Sequence, residues 1–430
     1  MTNSHSGHHP WRRGRQSLYI ALVFLSAIAA SLLVLHAAPA PFFWLWLIWA
    51  AALFVAIFFV HRPWPQATLL NLGIVACLLA AVEGYLVRHE YTPVVFPDGG
   101  FFVYNDVVGW APAKGIKAHA VKYGLGGLLH HPHGLLFDGT YTIDPEGLRA
   151  APPYRKDDLA GTVLFFGCSF TFGEGLADGE TLPYQVGMQS RGRYRTFNFG
   201  VQGYSPNQML ASIEHGIVRR VVEATPRYAV YIAIPDHIWR VAGRVPWGWH
   251  APRYVLDADG TPRRSGDFES RQPLAGRLGF VAPCRCGQCP DCETRVLLAQ
   301  RLGLAWEARQ INKSAIWRRL WNGYSGVTAG DIRLYLAVVG RSRELLTAQY
   351  PGIQFHVVLW PGGHNRQQQS AYNEMREGFH RMGIPLHLTE EILPNSGPDP
   401  SAYQLSSVDP HPNALADRLL AKYLVEKVLP

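Results

Sequence analysis

Three long apolar runs open this chain, Ser17 to Ala37, Pro41 to Val60 and Gln66 to Val87, and no other feature narrows its folding options so far. Each is long enough to cross a bilayer as a helix, and in hydrocarbon an open chain satisfies its own N–H and C=O groups only by forming one. The third run carries Asn71, Gly73 and Glu83, with Glu83 near its end, where a carboxylate reaches the interface. Arg12, Arg13 and Arg15 precede the first run, whereas the Ala-Ala-Pro-Ala-Pro turn after it has no charge, so the N-terminus is expected inside. With three spans, the remainder from about Arg88 emerges on the far side. A cleaved signal peptide is the rival reading; the length of the first run and the immediate second one favour a retained anchor in the inner or cytoplasmic membrane.

The expected organisation is a basic cytoplasmic tail at 1–16, a membrane anchor at 17–89, a β-rich lead-in at 90–160 and one large folded domain at 161–430. A length of 430 residues exceeds one ordinary core and suits this division. The net charge of +8 is drawn partly from the tail, and no stripe of alternating basic and aromatic residues appears, which argues against nucleic acid as a partner. His5, His8 and His9 read as part of a solvated tail.

Beyond Gly161 the pattern alternates. Thr162 to Phe166 reads as a strand, Leu182 to Gln189 as a helix, Phe197 to Gly200 as a strand end and Gln208 to Glu223 as a helix. Arg227 to Ile234 is another apolar run, and the Arg341 to Gln349 helix leads into a strand over 353–360. This rhythm predicts an α/β domain with a mainly parallel sheet. It lapses at about 240–330, read as an insertion beside the carboxyl ends of the strands, with a helical stretch from Arg295 to Arg309.

The chemistry concentrates at two places. Gly167-Cys168-Ser169-Phe170-Thr171-Phe172-Gly173 follows the first strand and sets Ser169 at a strand-to-helix turn. Far downstream, Asp409-Pro410-His411-Pro412-Asn413 offers an imidazole base and a carboxylate to orient it, as a serine nucleophile requires. Each block alone also reads as ordinary turn or helix-capping chemistry.

Together with Asn198-Phe199-Gly200-Val201-Gln202-Gly203-Tyr204, these blocks resemble the SGNH, or GDSL-type, hydrolase family in their chain order. That resemblance implies a flavodoxin-like three-layer fold, Ser169 as nucleophile, His411 as base, Asp409 as its orienting acid, and the N–H groups of Ser169 and Gly203 as oxyanion donors. No catalytic cofactor is implied. The chain departs from the family at Cys168, where aspartate is usual, and at Asp236, where the family brings an asparagine donor. A protonated Asp236 or a rotated His237 would restore that donor. One residue rather than two separates Asp409 from His411. Cys168, next to a cleft-facing Ser169, is expected to face the interior.

Cys284, Cys286, Cys289 and Cys292 fall within nine residues and suit either a structural Zn²⁺ or two disulfides. Trp239, Trp247, Trp249 and His250, with Arg240, Arg244 and Arg253, read as surface packing or as a sugar-binding face. The resulting expectation is an anchored serine esterase or O-acyltransferase acting on acyl esters, acetyl foremost, of a cell-envelope glycan or lipid. A transferase would draw on a separate membrane acyl-donor partner. The alternative is a catalytically weak glycan-binding or scaffold protein that keeps the fold.

Overall fold

A computed structural model describes residues 10–37, 41–88, 94–123, 134–245, 248–268, 314, 316, 327–362, 366–396, 400–407 and 409–429. The chain divides into two compact units, Met1–Glu90 with 125–132 and 306–323, and the remainder.

The first unit contains the helices α1 (Pro10–Ala37), α2 (Pro41–Ile57) and α3 (Pro63–Arg88). Two of them hold stretches long and apolar enough to cross a membrane, Arg15–Leu35 and Pro63–Val87. The second apolar run stays helical only to Ile57, for 17 residues, or about 25 Å at the ordinary rise. Gly73 lies within the continuous α3, where a Cβ would meet the Phe54 ring at 2.6 Å; its bare backbone lets α3 close on α2. Leu18, Leu22, Leu25, Leu32 and Leu33 of α1 point outward, as do Leu70, Leu72 and Leu78 of α3. Glu83, expected at the interface, is instead buried, and its carboxylate accepts from Ser314 Oγ at 3.0 Å and the Ile316 N–H at 3.1 Å.

The second unit is built on five strands: β5 (Gly161–Phe166), β6 (Tyr194–Asn198), β7 (Tyr228–Ala233), β10 (Gln354–Leu359) and β11 (Leu386–Leu388). All pair in parallel, in the order β6-β5-β7-β10-β11. This is the flavodoxin-like order, and its connections reverse direction between β5 and β7, where such sheets open a crevice at their carboxyl ends. The central strands β5 and β7 are largely apolar because helices cover both faces. Leu164, Phe166, Tyr231 and Leu359 enter one core with helices α6 (Pro206–Glu214), α9 (Ala329–Gln349) and α10 (Arg366–Arg381). Val163, Phe165, Val230 and Val358 enter the other, with α5 (Leu182–Gln189) and α12 (Ala414–Tyr423).

The helix expected over 208–223 is two, α6 and α7 (Ile217–Val221), divided at Gly216 with φ 69°. The short helices α4 (Ser169–Phe172), α8 (Asp236–Val241) and α11 (Thr389–Ile392) complete the count among the described residues. The lead-in forms two hairpins, β1 (Phe102–Asn105) with β2 (Gly109–Pro112) and β3 (Lys117–Tyr123) with β4 (Leu135–Thr142). In the insertion, β8 (Pro252–Leu256) and β9 (Pro262–Asp267) form a hairpin whose Tyr254 hydroxyl donates to Glu214 of α6. A last hairpin joins β12 (Gln404–Ser406) to β13 (Asp409–Pro412) and leads into α12. Arg295 to Arg309 and Cys284, Cys286, Cys289 and Cys292 lie outside the described residues.

Candidate active site

Ser169 opens α4 directly beyond β5, at the switch point of the sheet. As the first helical residue its N–H has no acceptor within the helix, and its side chain stands at the turn. On β13, Asp409 and His411 share a face because strand side chains repeat every two residues, and both are buried while Pro410 between them is exposed. The one-residue spacing is therefore the spacing an extended strand demands.

The three side chains form one hydrogen-bonded line. Asp409 Oδ1 lies 2.7 Å from His411 Nδ1 and also accepts the His411 backbone N–H at 3.1 Å. An ionised carboxylate only accepts, so Nδ1 carries the ring proton and Nε2 is the acceptor. Ser169 Oγ lies 2.7 Å from Nε2 and donates to it. Burial acts to raise the Asp409 pKa, but the hydrogen bond and charge of His411 and then the Lys122 ammonium overcome it and hold this carboxyl below its ordinary value. The arrangement lets the serine proton pass to the ring while an anion offsets the imidazolium. Beside it, the Phe170 ring lies 4.9 Å from His411 and 5.7 Å from Trp360.

The second block is fastened to the Ser169 turn. Asn198 Nδ2 donates to the Thr171 carbonyl at 3.0 Å, and its Oδ1 accepts the Gly200 N–H at 3.0 Å. A Cβ on Gly200 would meet Thr171 Cβ at 2.5 Å and Phe172 N at 2.7 Å, so only glycine lets the two segments touch. The Tyr204 N–H closes a turn on the Val201 carbonyl at 3.1 Å, with Gly203 third in it at φ 80°. That position of a type II turn calls for glycine.

The third block is arranged differently from what a donor site needs. Asp236 Oδ1 accepts from Gln368 Nε2 at 3.0 Å. The His237 ring is buried, with Nδ1 2.6 Å from the Tyr231 hydroxyl, and desolvation followed by the nearby Arg240 charge lowers its pKa well below the ordinary value. Cys168 faces the interior, fully buried in the core of the α5 and α12 face.

Sequence reasoning gave the lead-in no chemistry, yet it wraps the nucleophile segment. Arg149 is buried, pairs with Asp178 at 3.1 Å, and donates to the carbonyls of Gly173 at 3.1 Å and Leu176 at 2.7 Å. Its guanidinium lies 4.0 Å from the Tyr141 ring centre and 4.5 Å from that of Phe172. The Tyr141 hydroxyl accepts the Gly175 N–H at 2.7 Å. Lys122 lies 2.9 Å from Asp409 Oδ2 and pairs with Glu174. A signal for Lys122 existed: it shares a face of β3 with the buried Ala118 and Ala120, where a lysine is out of place unless paired.

No family model and no curated protein matches the sequence. Similar solved structures include a protein of the G-D-S-L family and several esterases. They include a protein assigned as lipolytic and of the G-D-S-L family from Desulfitobacterium hafniense, with 13% identity over 62% of this chain and 98% of that one, at a TM-score of 0.29. An acetylxylan esterase from Geobacillus stearothermophilus has 13% identity over 63% and 96% of the two chains, at 0.32. A protein assigned as an arylesterase from Agrobacterium tumefaciens has 12% identity over 62% and 98%, also at 0.32. Among the described residues no group of three or more His, Cys, Asp or Glu side chains is placed to hold a metal ion.

Proposed function

We propose that this chain is a membrane-anchored serine esterase or O-acyltransferase of the SGNH type. The observation that carries the reading is the line Ser169–His411–Asp409, hydrogen-bonded at 2.7 Å in both links and set at the switch point of the sheet. Ser169 attacks the ester carbonyl while His411 takes its proton; the tetrahedral oxyanion is received by the Ser169 and Gly203 N–H groups. His411 then protonates the leaving alcohol, and water or an acceptor hydroxyl releases the acyl group from Ser169. Hydrolysis and transfer share this acyl-enzyme and differ only in the acceptor.

The proposed substrate is an acyl ester, acetyl foremost, on a glycan or lipid of the cell envelope. The anchor formed by α1 to α3, with the N-terminus inside, would hold the site at the outer face of the membrane, and a transferase would take its acyl group from a membrane partner. Purified full-length protein is expected to label at Ser169 with a fluorophosphonate and to cleave p-nitrophenyl acetate, with both lost in Ser169→Ala. A parent protein that does neither leaves the second reading, a glycan-binding protein on this fold, which the acidic Asp236 favours. Because Gln368 already directs that side chain, Asp236→Asn is expected to raise kcat/KM less than about tenfold. A rise of about 10²-fold or more would put residue 236 in the oxyanion site.

A further inference from the structure

The Asp409 oxygen turned away from His411 is held from outside the sheet. Lys122, fully buried on β3, lies 2.9 Å from Asp409 Oδ2 and also pairs with Glu174 Oε1; Glu174 is only 4% exposed and Asp409 2%. The Glu174 backbone N–H in turn donates to the Ser169 carbonyl at 3.0 Å, so Glu174 belongs to the same turn as the nucleophile. Lys122 therefore ties the segment bearing Ser169 to the strand bearing Asp409 and His411, whose reacting residues lie 242 positions apart in sequence.

The charges give this tie a second meaning. To offset an imidazolium, a carboxylate must not already be neutralised, and Lys122 alone would neutralise Asp409. Glu174 cancels Lys122. One cation against two anions leaves a single negative charge at rest, and the cluster becomes neutral when His411 takes the serine proton. At this burial, charges a few ångströms apart are screened far less than in water.

The other groups facing the cluster do not upset this balance. Burial and then the Glu174 charge push the Tyr141 phenol above its ordinary pKa, so it stays neutral. Arg149, over the Tyr141 ring, is paired with Asp178. Phe170, beside His411, is uncharged.

We propose that Lys122 and Glu174 are a matched pair of positioning residues, Lys122 fixing the Asp409 carboxylate and Glu174 cancelling its charge so that Asp409 alone offsets the imidazolium. This rests on the reading of Ser169, His411 and Asp409 as the reacting line. The test is the second-order rate of fluorophosphonate labelling of Ser169 against pH, on the full-length chain in detergent, with circular dichroism to select folded variants.

Lys122→Met adds net negative charge beside His411 and is expected to move the acid limb of the profile up by about 0.5–1 pH unit; Glu174→Gln is expected to move it down by as much. The double variant Lys122→Met/Glu174→Gln restores the charge sum and is expected to return the limb near the parent position, with labelling about 10- to 100-fold slower because Asp409 is no longer held. Lys122→Arg is expected to recover part of that rate. Single variants that leave the limb in place, or shift it in one common direction, overturn the proposal. Should the single variants not fold, a double variant labelling at the parent rate overturns it. A parent protein that does not label at all removes the reacting line itself, and this inference with it.

Discussion

His411, on β13, and His237, in the first turn of α8 beyond β7, are two buried histidines, each bonded through Nδ1, but their partners differ. His411 faces the carboxylate of Asp409 on one side and the Ser169 hydroxyl on the other. His237 faces the Tyr231 phenol, itself 3.3 Å from Tyr335, inside the core. A carboxylate stabilises a protonated ring and a buried phenol does not, so only the first site can accept a proton and return it. The contrast teaches that a histidine beside a site motif gains its chemistry from the anion behind it.

Exchanging the two residues' roles should fail in opposite ways. His411→Gln is expected to slow fluorophosphonate labelling of Ser169 by about 10⁴-fold with the circular dichroism spectrum unchanged. A loss under tenfold would break the comparison by showing that His411 is not the base. His237→Phe is expected to do the reverse, costing about 1–3 kcal/mol in chemical denaturation through loss of the His237–Tyr231 hydrogen bond while labelling changes less than tenfold.

A third histidine sharpens the point through pH. His356 is buried and 3.0 Å from His387, and desolvation with the His387 charge lowers its pKa to about 4. Because its folded pKa lies below its unfolded value of about 6.5, stability from this group is full above that value and is lost as pH falls toward the folded one. His356→Gln is expected to flatten the fall in stability between about pH 6.5 and about pH 4, measured by urea melts at stepped pH. An unchanged slope would mean that His356 is already charged in the folded protein.

The legible and illegible parts of this molecule divide along physical lines. β5, β7 and β10 announced themselves as short, mainly apolar runs, since strands covered on both faces carry few polar side chains. Ser169, Asp409 and His411, which the fold brings into one hydrogen-bonded line, stood out by residue type and turn chemistry. Lys122, Glu174 and Arg149 were not, because a buried charge is set by partners that the chain brings from far away. The β3–β4 hairpin looked like a mere approach to the domain, and its one local signal, a lysine on the face of Ala118 and Ala120, does not say which anions it meets. The division of the 208–223 helix at Gly216 was visible in the residue itself, as glycine is the least costly place for a left-handed break.

The separation of 242 positions between Ser169 and His411 also has a bearing on biosynthesis. At about 5–20 residues per second, a ribosome needs about 12–50 s to travel from the codon for Ser169 to that for His411. If the proposed line operates, the Ser169 hydroxyl stands without its base throughout that interval. On the proposed reading, Ser169 meets its partner only once the last hairpin has been made, and a chain truncated upstream of His411 would lack that partner.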